Sequence, residues 1–424
     1  MNPDRPEKRR PEEPRPCRLC GGETALFLDL GLQWPSEPLW PEPVPPVPDR
    51  RHPLRLDACR LCGFVQIPDP LSPELIYPDA GLEMTSWKNL PQTGWQVDLL
   101  KRESPLDANL VEIGCNDGHF LAALRDAGFS RLAGIEPSRV SGPLARGKGF
   151  EVREGFATPA AAKELVEVRG KFDLAAAKHV FGHIPDLPGF FSCLDTLLTP
   201  KGKLFLEIPD FSVALAAADC SLIYEELVGH FTSDTLRFIL AHFGYTILIE
   251  QKFPCNGGLI EILARRSPNP PHPPPFPAIP AALADFSGRA RDYAGRLGDR
   301  LESFQSRGWP AFFFGAGMRS AALLNGFGLA PKITALLDDN PAKQGRYYPG
   351  CGLPILAPEA AAEKYGAGGK KLFLLAVSNE NEEKVVQRIK RLFAGEVLCA
   401  SVLGPGDREK ELAGPRSGID EEGH

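Results

Sequence analysis

The stretch Glu112-Ile113-Gly114-Cys115-Asn116-Asp117-Gly118-His119-Phe120 decides the fold. Ahead of it, ANLVEI is a short apolar run of the kind that forms a buried strand. Behind it, HFLAALRDAG repeats its apolar residues at helical spacing. Strand, glycine turn and helix in that order make the first half of a βαβ unit. The same alternation continues outward through RLAGIEPS, FDLAAAKHV, KLFLEIPD and YTILIEQKF, the last followed by LIEILARR. Such alternation predicts an α/β protein with a doubly wound, parallel-rich sheet. The carboxyl end of the first strand is where sheets of this type bind nucleotides.

The turn lacks the G-x-G-x-x-G spacing that lets backbone amides approach a pyrophosphate, which argues against NAD and FAD. A nucleoside cofactor without phosphates fits better. Roughly twenty residues on, Gly134-Ile135-Glu136-Pro137 places an acid where it accepts both ribose hydroxyls. Glu112, closing the first strand, stands where a carboxylate holds a cationic end. Singly, these residues read as turn formers and loop carboxylates. Together, Glu112, Gly114, Asn116, Asp117, Gly118 and Glu136 point to S-adenosylmethionine.

The chain has 424 residues, with 48 Lys and Arg against 54 Asp and Glu, a formal net charge of −6. That length predicts two or three domains. The mild acidity gives no general pull toward nucleic acid or anionic lipid. The sequence has no run of about 18 apolar residues and no apolar segment near Met1, which predicts neither a membrane span nor a secretory signal. A cytoplasmic protein with a small-molecule ligand is expected. Of the 10 cysteines, Cys17 with Cys20 and Cys59 with Cys62 form two Cys-Arg-Leu-Cys-Gly knuckles. Paired knuckles of this spacing suit a tetrahedral structural Zn²⁺; four free thiols or a redox pair are the alternatives. The remaining six are scattered and expected to pack as small hydrophobes. Proline-dense WPSEPLWPEPVPPVPD and SPNPPHPPPFPAIP read as an extended loop and a linker. The expected organisation is a tail (1–16), a zinc-binding domain (17–80), a central domain (81–266), the linker (267–280), a helix with a second Rossmann-like α/β domain (281–410) and a tail (411–424).

VEIGCNDGHFL, GIEPS and FDLAAAKHVFGHIPDL resemble the signature of class I S-adenosylmethionine-dependent methyltransferases. DLGLQWPSEPL with HPLRLDACRLCGFVQ, and FFGAGMRSAALLN with LLDDNPAKQGRYYPGCGLPI, are similar to the outer domains of the sugar C-methyltransferases, in the same order over about residues 17 to 405. The resemblance implies methylation of a carbon on a nucleotide-linked keto-deoxysugar, in antibiotic or cell-surface sugar biosynthesis; a monomer or homodimer is expected. It places Pro137, Lys178 and His179 with the cofactor residues. In that family a Tyr-x-Glu-His segment serves catalysis. Tyr224 and Glu226 match it, but Leu227 stands at the histidine. His230 is the expected substitute base, with its alternative a structural histidine, and His183 is a further catalytic candidate. Two other departures are the absence of an aromatic in Asp79–Ser86 and of a Trp-Asn pair in Leu375–Asn379. Asn256-Gly257-Gly258 resembles a turn near the substrate or is a plain hairpin turn. Gly315-Ala316-Gly317, Asp338, Asp339, Asn340 and Lys343 to Arg346 suit a nucleotide diphosphate or belong to a degenerate supporting lobe. The missing histidine keeps open O- or N-methylation of another acceptor, and a non-catalytic sugar-nucleotide or cofactor binder.

Overall fold

The computed structural model describes residues 15–45, 49–77, 90–267 and 281–402. The expected tails up to residue 14 and over 411–424, the linker over 268–280 and Asp79–Ser86 lie outside the described residues. The chain begins with two antiparallel strands, β1 (Thr24–Gln33) and β2 (His52–Cys59), and the short β3 (Val65–Gln66). Helix Thr93–Glu103 leads into β4 (Asn109–Ile113), followed by β5 (Arg131–Glu136), β6 (Glu151–Glu154), β7 (Phe172–Lys178) and β8 (Leu198–Pro209). After β9 (Gly229–His230) come β10 (Tyr245–Phe253) and β11 (Leu259–Arg266). Helix Ala281–Ser306 precedes β12 (Ala311–Phe314), β13 (Ala335–Leu337), β14 (Ile355–Leu356), β15 (Lys370–Leu375) and β16 (Glu396–Ser401).

These strands form three sheets. The central one has the order β10-β11-β8-β7-β4-β5-β6, with only β11 antiparallel to its neighbours. Helices cover both faces, so β4 and β7 read as near-continuous apolar runs with no alternation. The C-terminal sheet, β14-β13-β12-β15-β16, is wholly parallel. Both are the Rossmann-like sheets the alternating pattern predicts. Local signals set the helix ends: the Thr158 hydroxyl accepts from the Ala161 amide at 3.2 Å, Pro159 follows, and Gly170 at φ +72° stops the helix. After β12 the chain forms a 3₁₀ turn (Met318–Ser320) running into a π-turn (Ala322–Gly326). Among the described residues no helix is long and apolar enough to cross a membrane.

The first sheet runs β1-β2-β3-β9 and takes its fourth strand from residues 229–230, far along the chain. Phe231, beside that strand, packs its ring 5.1 Å from Phe64 and 4.9 Å from Phe181, joining the cysteine module to the central sheet. Phe286, on helix Ala281–Ser306, stacks on Phe27 of β1 at 5.0 Å. Phe231→Ala is expected to destabilise the protein by about 3–5 kcal/mol, checked by a lower denaturant midpoint; an unchanged midpoint would refute its role as the joint.

Candidate active site

The turn after β4 is built for close approach. Gly114 has φ +70°, and a Cβ there would lie 2.4 Å from Val180 Cγ2. Asn116, also left-handed at φ +50°, donates its backbone N–H to Glu136 Oε2 at 2.7 Å, and Ser138 N–H donates to Oε1 at 2.8 Å. The carboxylate at the end of β5 is thus fixed by two amides. Gly118 (φ +76°) caps helix His119–Asp126 against Ala145 and Phe150. Asp117 pairs with Lys148 at 2.9 Å. A cavity of about 460 Å³ opens over this turn, lined by Glu112, Gly114, Asn116, Asp117, Glu136, Pro137, Lys178 and His179 among others; Gly118 shapes the turn without lining it. Glu112 is 3% exposed, and its Oε2 has no hydrogen-bond partner. Burial pushes its carboxyl up to about 8, even with Lys178 pulling the other way. An unsatisfied buried carboxyl oxygen facing a cavity is a site for a ligand ammonium, so these residues fit S-adenosylmethionine.

Beneath the cavity, His179 follows β7 in a left-handed conformation (φ +54°), costly for a histidine. Its Nε2 lies 3.1 Å from Oε1 of Glu207, a fully buried carboxylate at the end of β8. Gln92 and Gln96, four apart at the start of helix Thr93–Glu103, donate their side-chain amides to Glu207 Oε2, Gln92 at 2.8 Å. Burial opposes ionisation of Glu207, but His179, Lys178 and Gln92 outweigh it and hold the carboxyl well below the usual range. Gln96 also donates to Glu261 Oε1 at 2.6 Å; burial and the neighbouring Glu207 push Glu261 up to about 9. No motif marks this network, because its members come from four separate segments.

At the other end of the cavity, Tyr77 and His183 are hydrogen-bonded, Oη to Nδ1, at 2.8 Å. Burial, helped by the charge of His179, lowers His183 to about 4, so its imidazole is neutral at physiological pH. Tyr224 also lines this end, its hydroxyl held well above the usual phenol range by burial and by Glu226. Glu226 is buried beside the two tyrosines, with Oε2 unpartnered and its carboxyl raised by desolvation and by Glu225. Met318, from the C-terminal lobe, closes the wall. Sequence reasoning missed Tyr77: it found no aromatic in Asp79–Ser86, and the ring stands two residues earlier. His230 is not part of the wall. It sits on β9 opposite Val65, is 3% exposed, does not line the cavity, and packs 4.7 Å from Phe211, with both ring nitrogens unpartnered and burial lowering it to about 3. Its strand pairing, invisible from local sequence, turns it into the core.

Comparison with known proteins agrees with this geometry. A "Methyltransferase domain" family model matches residues 92–250, a "C-methyltransferase C-terminal domain" matches 279–393 and a "Putative zinc binding domain" matches 17–77. The chain is an S-adenosylmethionine-dependent methyltransferase, and the three matched domains agree with the resemblance to the C-methyltransferases. It is 26% identical over 374 residues to C-methyltransferase NovU of Streptomyces niveus, covering 82% of this chain and 86% of that one. Similar solved structures include magnesium protoporphyrin IX methyltransferase from Synechocystis PCC 6803 (17% identity, 42% of this chain and 83% of that one, TM-score 0.34). Another is an S-adenosylmethionine-dependent methyltransferase from Mesorhizobium loti (17% identity, 41% and 98%, TM-score 0.33).

In this methyltransferase the thiols of Cys17, Cys20, Cys59 and Cys62 lie within 4.8 Å of one another. Cys17–Cys62, Cys20–Cys59 and Cys20–Cys62 are 3.6, 3.5 and 3.5 Å apart. Bonds of about 2.3 Å to a tetrahedral Zn²⁺ put sulfurs about 3.8 Å apart, so the four fit a structural zinc. The other cysteines are free thiols, buried or half-buried. In the C-terminal lobe, the Gly315–Gly317 turn is engaged by its own neighbours. Asp338 accepts from the Ala316 amide at 2.9 Å, and Lys343 Nζ donates to the Ala316 carbonyl at 3.0 Å. These contacts favour the supporting role over a diphosphate site. The hairpin turn residue Asn256 reaches that lobe, its Oδ1 accepting from Arg319 at 3.1 Å and its amide donating to Glu380 at 3.1 Å.

Two outcomes are expected. The zinc-replete protein holds about one equivalent per chain by metal analysis, and Cys59→Ser loses it; a metal-free, folded wild type would remove the site. Below pH 8 the empty site keeps Glu112 protonated, so binding the S-adenosylhomocysteine ammonium releases close to one proton at pH 7. Affinity therefore rises as pH climbs toward 8. Calorimetry in buffers of different ionisation enthalpy reads the release, which Glu112→Gln abolishes; buffer-independent heats would contradict the assignment.

Proposed function

We propose that this enzyme, acting in the cytoplasm, methylates a carbon of a nucleotide-linked keto-deoxysugar, with Tyr77, His183, Tyr224 and Glu226 at the acceptor. The observation that carries this reading is the Tyr77–His183 pair facing Tyr224 across one end of the cofactor cavity. Carbon becomes nucleophilic only when a proton α to a ketone is removed and the enolate oxygen is held. His183 is neutral and held by Tyr77 Oη and by the Glu226 backbone, and a neutral imidazole keeps one unprotonated ring nitrogen that can take the proton. Tyr224 stays protonated through the physiological range and donates to the enolate oxygen. Glu226, kept as a neutral acid by burial, stands beside both tyrosines. The pairing supplies a base from a position other than Leu227.

At the far end, Glu112 holds the cofactor's ammonium and Glu136 its ribose. S-adenosylmethionine, when bound, supplies an electrophilic methyl group on a sulfonium. Likeness to NovU, named as a C-methyltransferase, supports carbon as the atom methylated, and the three-part domain order, through the resemblance to the sugar C-methyltransferases, supports a sugar-nucleotide acceptor. The test is incubation with S-adenosylmethionine and a panel of nucleoside diphosphate-linked keto-deoxyhexoses, followed by mass and NMR analysis. A methyl bonded to ring carbon is expected, with His183→Ala and Tyr224→Phe each slowing turnover about 10²–10⁴-fold and leaving S-adenosylhomocysteine affinity intact. A methyl on oxygen or nitrogen, or cofactor binding without any product across the panel, would overturn the assignment.

A further inference from the structure

The two cysteine knuckles share the sequence Cys-Arg-Leu-Cys, yet their arginines have opposite fates. Arg60 is exposed and pairs with Glu23 at 3.4 Å. Arg18 turns inward, its guanidinium 5.8 Å from the Phe64 ring. Its Nη1 donates to the carbonyls of Pro185 at 2.8 Å and Ile184 at 3.4 Å, and its Nη2 donates to the carbonyl of Val228. The Arg18 backbone N–H donates to Gln66 Oε1 at 2.9 Å, and Gln66 Nε2 donates in turn to the Pro16 carbonyl at 3.3 Å, fixing the knuckle on β3.

These acceptors belong to two separate loops. Ile184 and Pro185 follow His183, and Val228 follows Glu226 and Leu227. One side chain, rooted beside a metal ligand, therefore holds both walls of the acceptor end. Arg18 forms no ion pair among the described residues, so no carboxylate offsets the cost of half-burying its charge. Four thiolates on a divalent cation leave a net charge of −2 next to it, and this is the compensation its position calls for. A planar guanidinium can reach several carbonyls at once, which an ammonium cannot.

We propose that Arg18 is a positioning residue for methyl transfer: the metal knuckle anchors Arg18, and Arg18 locks the loops carrying His183 and Glu226 against each other. The zinc module is on this view part of the acceptor site's framework, in addition to being a folded unit of its own. The inference rests on the assignment of those loops to the acceptor, but its test needs no acceptor.

Hydrogen exchange by mass spectrometry is compared for zinc-loaded wild type, Arg18→Met and Arg18→Lys, together with zinc content and S-adenosylhomocysteine affinity. In Arg18→Met, exchange over 181–187 and 224–230 is expected to quicken about tenfold or more. Exchange over 109–120, zinc content and cofactor affinity stay as in wild type. Arg18→Lys, able to serve one loop at a time, falls between. Unchanged exchange in both loops of Arg18→Met overturns the proposal, as does loss of zinc from that variant, which would confine Arg18 to the metal site. A failure to find a sugar product, with the two loops loosened as expected, would overturn the acceptor assignment alone.

Discussion

Buried carboxyl groups are the constraint around which this methyltransferase is arranged. Glu112, Glu136, Glu207, Glu225, Glu226 and Glu261 are each less than a tenth exposed, and an ionised carboxylate costs several kcal/mol to bury without partners. Each therefore dictates its surroundings. Glu136 draws two amides and so shapes the turn that receives the cofactor. Glu207 recruits Gln92 and Gln96, which sets where helix Thr93–Glu103 lies across the central sheet. Glu225 accepts from both the amide and hydroxyl of Ser36 at 2.8 Å, tying the proline-rich N-terminal loop to the acceptor wall. Glu112 is left without its full complement inside the protein, and that shortfall is what makes it a binding group.

What the sequence made legible follows from the range of the interactions involved. The cofactor turn is local: Gly114, Asn116 and Gly118 have positive φ within one short loop, and composition alone marks it. The zinc ligands form two local pairs whose spacing is self-explanatory. The parallel-rich α/β character of both large sheets follows from the alternation of strand and helix signals. By contrast, Arg18 and Arg60 are indistinguishable in sequence and opposite in structure, because only one knuckle faces the central sheet. Tyr77 stands alone after a four-residue helix, with no periodicity to announce it. Glu207 and Glu261 look like outward-facing residues of two strands, and only the helix laid over them turns them into a buried pair bridged by Gln96. The burial of His230 is illegible for the same reason: a two-residue strand has no signature of its own.

The C-terminal lobe serves the site from outside. Arg319 donates to Ser221 Oγ at 2.9 Å and to Asn256 Oδ1, so the lobe grips two loops of the central domain through one side chain. Gly257 leaves no room for a Cβ beneath it, the nearest Arg319 nitrogen lying 2.9 Å away. With Trp40 and Tyr347 exchanging backbone hydrogen bonds at 2.9 and 2.8 Å, the lobe is also stitched to the N-terminal module. Residues of all three units, Tyr77, Tyr224 and Met318 among them, line the cavity, whereas the turn after β4 is made wholly by the central domain and is the part least dependent on the others.

The borrowed strand β9 has a consequence for biogenesis. On the ribosome the cysteine module emerges before the central domain, with β1, β2 and β3 able to pair and the metal ligands all synthesised, yet its sheet ends in an unfilled edge at Val65 and Gln66. That edge stays open while the whole stretch up to Gly229 and His230 is translated. An uncapped edge invites pairing with any passing chain. Its shortness, two residues with Pro68 just beyond, limits that hazard during the wait. The module thus matures in two stages, first as a metal-bound knuckle pair and then, once the central domain has closed around Phe231, as a completed sheet.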